Sequence, residues 1–275
     1  MATTYASKYS GKVDERFKLA SVTRGAVNNE YDFVGVNAVN VYSIPTVALG
    51  DYTISGTSRF GTPAELQNAV QTLTISQDKA FTFVIDKKST DSTMGAMQAG
   101  AALRREVDEV ITPTVDIYTI GKIVAGTTPA GRAALTKANV YAAFLDGQAA
   151  LTDAKMIPAT GRVCFAGTNF YKLIKQDPAF MLNSDMGQQM VVNGAVGTID
   201  GVAIIPVPAS YLPENIEFVI THPSVTCQVL KLTDYRVHED APGISGYLVE
   251  GRIMYDAFVL DSKTNGIYAY TRSAS

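Results

Sequence analysis

The stretch whose reading decides the fold is Asp91–Ala125, DSTMGAMQAGAALRREVDEVITPTVDIYTIGKIVA. Asp91, Ser92 and Thr93 offer capping oxygens at its start. Met94, Met97, Ala101, Val107, Ile111, Val115 and Tyr118 then fall near a helical period, with Arg104, Arg105, Glu106, Asp108 and Glu109 on the other side. Pro113 removes one backbone donor and predicts a kink rather than an end. Gly126 and Pro129 stop the helix. About 33 residues at 1.5 Å each make a rod of about 50 Å, far above the mean for globular domains. Such a rod needs a continuous surface to lie on.

On its N-terminal side, residues 39–48 read as a strand with an edge-tolerated proline, Pro45. Residues 70–85 read as one or two more, with Phe81, Phe83 and Ile85 alternating with Thr82 and Val84. Between them, Gly50–Ala69 is polar and punctuated by Gly56, Gly61 and Pro63. An unstructured loop of about 20 residues is unusual inside a compact domain, so it is expected to be functional or to gain structure from a partner. Arg59 and Phe60 are expected at its tip. In the first 38 residues Tyr5, Tyr9, Val13 and Phe17 recur every four positions, an apolar helical stripe. So short a helix is marginal alone and lies either on its own domain or on a neighbouring subunit.

On the C-terminal side, Thr136 is expected to cap a helix reaching Ala150 that buries Val140, Phe144 and Leu145. Arg162–Ala166 reads as a short strand. Thr168 is expected to cap the helix Asn169–Lys175, ended by Pro178. Val202–Val207 and Ile216–Ile220 have the apolar character of buried strands. Residues 226–273 return to strand character, and Asn265-Gly266 predicts a tight hairpin. Asp200-Gly201 carries a second hairpin signal.

The chain has 275 residues, a net charge of −3 and only 18% charged residues. It is long enough to bury a core, as one large domain or two modest ones. The low charge fraction fits a surface that ends up covered. Lys and Arg are scattered, which argues against sequence-specific DNA binding. Cys164 and Cys227 form no disulfide or metal pattern, and the first residues carry no export signal. The expectation is synthesis in a reducing cytoplasm, with no membrane segment.

The order of parts resembles the major capsid proteins of tailed bacteriophages of the Hong Kong 97 type. The string Gln98–Ile123 is similar to the family's spine helices, which run from small residues through a charged patch to a Pro-x-x-Asp-x-Tyr element, here Pro113, Asp116 and Tyr118. Gly194–Gly201 resembles a glycine-spaced segment that precedes a strand in the family. The resemblance covers the whole chain and implies an α+β fold. It divides the chain into an N-terminal arm (1–38), an extended loop plus spine helix (39–129), an axial domain (130–225) and C-terminal strands of the peripheral domain (226–275). It implies a virion shell subunit, not an enzyme, with no cofactor, catalytic residue or metal. The implied partners are further copies of the chain in hexamers and pentamers, a portal, a separate scaffolding protein and, non-specifically, packaged double-stranded DNA. The implied intersubunit contacts are Tyr5, Tyr9, Val13 and Phe17 on the arm, Arg59 and Phe60 on the loop, and Arg104, Arg105, Glu106 and Glu109 on the spine. No residues match the covalent cross-link of the type member.

Other chemistry fails on spacing. Gly126–Ala133 has phosphate-loop glycines, but Arg132 and Ala133 replace the lysine and the magnesium ligand. Gly194, Gly197 and Gly201 miss the dinucleotide spacing. His238-Glu239-Asp240 lacks a further spaced ligand and reads as a surface loop. Three rivals remain: an encapsulin-like nanocompartment shell, a small cytoplasmic enzyme using Cys164 or His222, and a strand-rich tail or adhesion protein, which the long helix disfavours.

Overall fold

The computed structural model describes residues 21–28, 38–44, 46–63, 65–66, 68–88, 99–128, 130–154, 158–177, 197–239 and 241–272. The arm residues Tyr5, Tyr9, Val13 and Phe17, the capping candidates Asp91–Thr93, and Met94 and Met97 lie outside them.

The described part of the rod runs without a break from Ala99 to Ala125. It comprises α1 (Ala99–Glu106), a π-helical turn (Val107–Ile111) and α2 (Thr112–Ala125). It is about 40 Å long at 1.5 Å per residue. Pro113 has no N–H for the carbonyl four residues back, and its ring crowds that carbonyl. The helix answers with a wider turn just before the proline. The Thr112 amide reaches back to the Val107 carbonyl, and the Thr112 hydroxyl donates to the same oxygen at 3.0 Å. The wide turn also moves the contact stripe. In α1 it is Ala102 and Leu103, not the expected Ala101, that pack on the sheet. Past the turn it is Ile111, Val115 and Tyr118. Gly126 ends the rod by donating to the Lys122 and Ile123 carbonyls. A Cβ there would sit 2.8 Å from Val259, so only glycine lets the rod end against the sheet.

Two sheets share the rod. In the first, β3 (Gln77–Asp86), β10 (Gly246–Val259) and β9 (Thr226–Glu239) are antiparallel in the order β3-β10-β9. The alternation of Phe81, Phe83 and Ile85 holds: they line the rod-facing side with Val249 and Tyr247, opposite Ala102 and Leu103. In the second sheet the order is β4-β11-β8-β5-β7-β6. Its strands are β4 (Ala130–Arg132), β5 (Val163–Gly167), β6 (Thr198–Ile199), β7 (Val202–Val207), β8 (Ile216–Thr221) and β11 (Tyr268–Arg272). Ile120 and Ile123 of α2 pack there against Val163, Phe165 and Val219. On its other side α3 (Val140–Asp153) and α4 (Thr168–Ile174) bring Phe144 and Phe170 onto Phe218, whose ring centroid lies 4.5 Å from that of Phe170.

Five local expectations are corrected. Helix α3 starts at Val140, with Asn139 as its N-cap residue, and the Asn139 side chain accepts from the Thr136 amide at 2.7 Å; Thr136 is not the cap. Leu145 is 40% exposed, because the buried stripe is Val140, Phe144, Gly147 and Leu151, and Leu145 is about 100° round the helix from Phe144. Thr168 is the first residue of α4 and Gly167 its N-cap, where a Cβ would come within 2.7 Å of the Glu217 carbonyl. Asn265-Gly266 ends a 3₁₀ turn, Asp261–Gly266, not a hairpin. β10 already has β3 and β9 on its two edges, so the chain must cross to the other sheet to find an edge for β11. His238 lies in β9 opposite Leu248 rather than in a loop. The hairpin at Asp200-Gly201 is present between β6 and β7, with φ of 48° and 79°.

Candidate assembly surface

Among the described residues, most of the exposed large apolar side chains lie on the excursion between β1 (Ala38–Ser43) and β2 (Ala69–Thr74) or at its root. Its root is firm. Antiparallel pairing sets Val39 opposite Leu73 and Tyr42 opposite Val70. Leu73 is buried among Cys227, Val229 and Leu260, and Val39 and Val41 pack on that cluster. Gln71 locks the root to the body: its amide donates to the Val259 carbonyl at 3.0 Å and to Asp261 at 3.1 Å, and its oxygen accepts from the Asp261 amide.

Beyond the root the chain leaves the body. Among the described residues from 46 to 68, every hydrogen bond and ring contact stays inside that stretch. The Thr53 amide donates to the Arg59 carbonyl, the Gly61 amide to the Ser58 carbonyl, and the Ser58 hydroxyl to the Gly61 carbonyl. Arg59 Nε donates to the Gly56 carbonyl. Tyr52 and Phe60 meet edge to face at 5.1 Å. Gly56 and Gly61 hold positive φ, which glycine alone adopts at no steric cost. The tip is thus an ordered turn that presents Phe60 outward, 92% exposed. Leu49, Ile54, Val47 and Ile44 are exposed too, and Tyr42 and Val70 continue the apolar surface to the root. Scattered exposed apolar residues need no explanation, but this many along one projection mark an interaction surface.

The spine candidates lie elsewhere. Arg104 is exposed; Arg105 and Glu106 share the last turn of α1, and Glu109 sits on the π turn, all three half-buried. No described hydrogen bond joins them to the excursion.

Two residues of the rod do more than their position in a motif string implied. Asp116 is 1% exposed and accepts from the Ser21 hydroxyl at 2.9 Å, the Val22 amide at 2.9 Å and the Thr23 hydroxyl at 2.5 Å. Gln228 extends this cluster, donating to Thr23 at 3.1 Å and Thr119 at 3.0 Å. Tyr118 donates to Asp256, which also accepts from the Ser76 amide and hydroxyl at 2.7 and 2.8 Å. The rod therefore fastens Ser21–Thr23, the turn after β2, and β10. The available signal was a carboxylate on the buried stripe of a helix, which demands several donors.

The sites proposed for an enzyme do not form. Cys164 is fully buried in β5 opposite Ile220, and burial pushes its thiol pKa well up. His222 lies just past β8, its Nδ1 engaged by the Ser224 amide at 3.1 Å and paired with the Ser224 hydroxyl at 2.8 Å. The glycine-spaced segment from Gly126 is the end of the rod followed by β4, which pairs with β11. Among the described residues no helix is long and apolar enough to cross a membrane.

No protein-family model and no curated protein sequence matches the chain. Solved structures do. One from Mycobacterium phage Che8 superposes with a TM-score of 0.80 at 19% identity, covering 97% of this chain and 96% of that one. The capsid structure of cyanophage P-SCSP1u gives 0.75 at 13% identity, covering 98% and 94%. This is a phage capsid fold. The same capsid fold extends to a virus-like particle from Pyrococcus furiosus, with a TM-score of 0.55 at 13% identity over 91% and 92% of the two chains.

Proposed function

We propose that the chain is the major capsid protein of a tailed phage, self-assembling into the pentamers and hexamers of an icosahedral head around double-stranded DNA. The observation that carries this reading is the excursion. It has a rigid root, an ordered tip and a row of exposed apolar side chains that the subunit itself leaves uncovered. A monomer has no use for that surface; a shell covers it with the next subunit. On this reading residues 1–38 are the arm, the β1–β2 excursion is the extended loop, the rod and first sheet form the peripheral domain, and residues 130–225 form the axial domain. Head-to-tail contacts of this kind close into rings, and several weak contacts per subunit together give a shell that hardly dissociates. Arg104, Arg105, Glu106 and Glu109 supply a charged contact along the spine, and Tyr5, Tyr9, Val13 and Phe17 clamp a neighbour. A portal and a separate scaffolding protein complete the partners, and the destination is the virion.

The second reading is a nanocompartment shell that encloses protein rather than DNA, favoured by the likeness to the Pyrococcus furiosus particle. Expression of the chain with and without a candidate scaffold, followed by negative-stain microscopy, tests both. Closed particles support a shell, and a monodisperse monomer under all conditions refutes it. Portal and terminase genes beside this one favour the phage head; a cargo-enzyme gene favours the compartment.

A further inference from the structure

Two of the chain's crossings between the sheets meet at one point. The first leaves β8, passes the short 3₁₀ turn Pro223–Val225 and enters β9. The second leaves β10, passes the 3₁₀ turn Asp261–Gly266 and enters β11. The Leu260 amide ties them by donating to the Val225 carbonyl at 3.0 Å, and Lys263 Nζ by donating to the Ser224 carbonyl at 3.0 Å. His222 caps the first turn. Its carbonyl accepts from the Val225 amide at 3.0 Å, and its ring Nδ1 accepts from the Ser224 amide at 3.1 Å. A backbone amide only donates, so Nδ1 carries no proton and the ring is the neutral tautomer with its hydrogen on Nε2. The ring also hydrogen-bonds the Thr160 backbone, and a Cβ on Gly161 would stand 3.3 Å from Nε2. One half-buried imidazole thus touches the end of β8, the entry to β9 and the backbone that leads into β5.

The charged groups that act on the ring are Lys263, from the second turn, and Arg162, from the entry to β5. Arg162 is fixed in place: it is 1% exposed, and its guanidinium donates to the Pro158 and Gln148 carbonyls and to the Thr152 hydroxyl, each at 3.1 Å. A proton on Nδ1 would set N–H against N–H at Ser224 and place a third positive charge beside these two. We propose that His222 is a proton-operated pin at this crossing: neutral, it holds the Pro223–Val225 turn and the Thr160–Gly161 backbone in place; protonated, it lets them open while both sheets stay folded. Burial first, and the two cations after it, hold the ring below its ordinary pKa in the closed state. The opened ring titrates near about 6.5 and so takes up the proton first. The pin is therefore whole above about pH 6.5 and weakens as the pH falls below it. It is a property of the subunit and goes beyond its place in a shell.

Hydrogen exchange on the full chain, between about pH 7.5 and pH 5, tests it. Exchange at the Ser224 and Val225 amides, divided by the intrinsic rate at each pH, is expected to rise by up to about tenfold per pH unit below about pH 6.5, because opening takes up one proton. Phe165 in β5 and Val219 in β8 are fully buried and keep their protection. In His222→Asn the side-chain oxygen accepts from the Ser224 amide at every pH, and the profile is flat. Lys263→Gln keeps a donor for the Ser224 carbonyl but removes a charge. It narrows the gap between the closed and opened pKa values, so the acid response shrinks by about threefold. A flat profile in the parent, an equal slope in His222→Asn, or an undiminished response in Lys263→Gln overturns the pin. Loss of protection at Phe165 and Val219 in step with the turn overturns it too, since the whole fold would then be opening. The readout needs no particle, so a chain that never assembles sinks the shell reading and leaves this result standing.

Discussion

The Tyr118 hydroxyl donates to Asp256 at 3.0 Å, and through that carboxylate the rod holds both β10 and the turn that leads from the excursion into the first sheet. Tyr118 also stands edge to face with Tyr255 at 5.4 Å. The loop that reaches outward is therefore braced at its base by the longest helical rod among the described residues.

Tyr118→Phe removes one donor and keeps the ring, so it should lower subunit stability by about 1 kcal/mol. Asp256→Ala leaves the Ser76 amide and the Tyr118 hydroxyl without their acceptor and should cost about 2–4 kcal/mol. Urea titration of the two variants checks the order; equal losses would mean that Asp256 does not hold these donors together.

Asp116→Ala strips the acceptor from Ser21, Val22 and Thr23 at once. The expected result is release of that segment while the sheets remain: faster hydrogen exchange at Val22 and faster tryptic cleavage after Arg24, with a stability loss of about 2–4 kcal/mol. Asp116→Asn keeps one acceptor oxygen and should fall between the two. Unchanged exchange at Val22 in the alanine variant would contradict the bonding described.

Deleting Ser55–Thr62 removes a turn whose hydrogen bonds close on themselves. The shortened chain should melt within a few degrees of the parent, because a change of under about 0.5 kcal/mol is expected away from the core. It should assemble poorly. Normal particles by electron microscopy would remove the excursion from the assembly surface.

His222 is held below its ordinary pKa by burial and by the nearby positive charges of Lys263 and Arg162, against a hydrogen bond to the Thr160 backbone that acts the other way. A depressed histidine pKa means that the unfolded chain takes up the proton first. Its contribution to stability is whole above about pH 6.5 and is lost as the pH falls through the folded value. His222→Asn keeps an acceptor for the Ser224 amide and removes the titration. The variant should show a shallower loss of stability than the parent between about pH 7 and pH 5. Parallel pH profiles for the two chains would show that His222 does not contribute.

Much of this was legible in the residues. The rod announced itself through apolar spacing, the first sheet through the alternation at Phe81, Phe83 and Ile85, and the excursion through glycine-punctuated polarity between two strands. What stayed hidden was non-local. Asn265-Gly266 carries a hairpin signal, yet β10 has no vacant edge, and only the sheet order reveals that. Thr168 is a good cap residue, yet the cap position falls on Gly167, where the Glu217 carbonyl leaves no room for a Cβ. The sequence pointed to Arg59 and Phe60 on the excursion but not to the groove lined by Ala80, Thr82 and Arg252, because a groove is made by residues far apart in the chain. The arm stripe lies outside the described residues.

The extra residue in the Val107–Ile111 turn has a consequence for how the two ends of the rod agree. At 100° per residue, Leu103 and Val115 would differ in azimuth by about 120° on an uninterrupted α-helix. Counting one residue fewer across the bulge reduces this to about 20°, which is how Leu103 and Val115 both come to face β10. A single-residue deletion there would mend the helix and twist its two halves out of phase. The subunit would keep its helical content but lose the seat of one half of the rod.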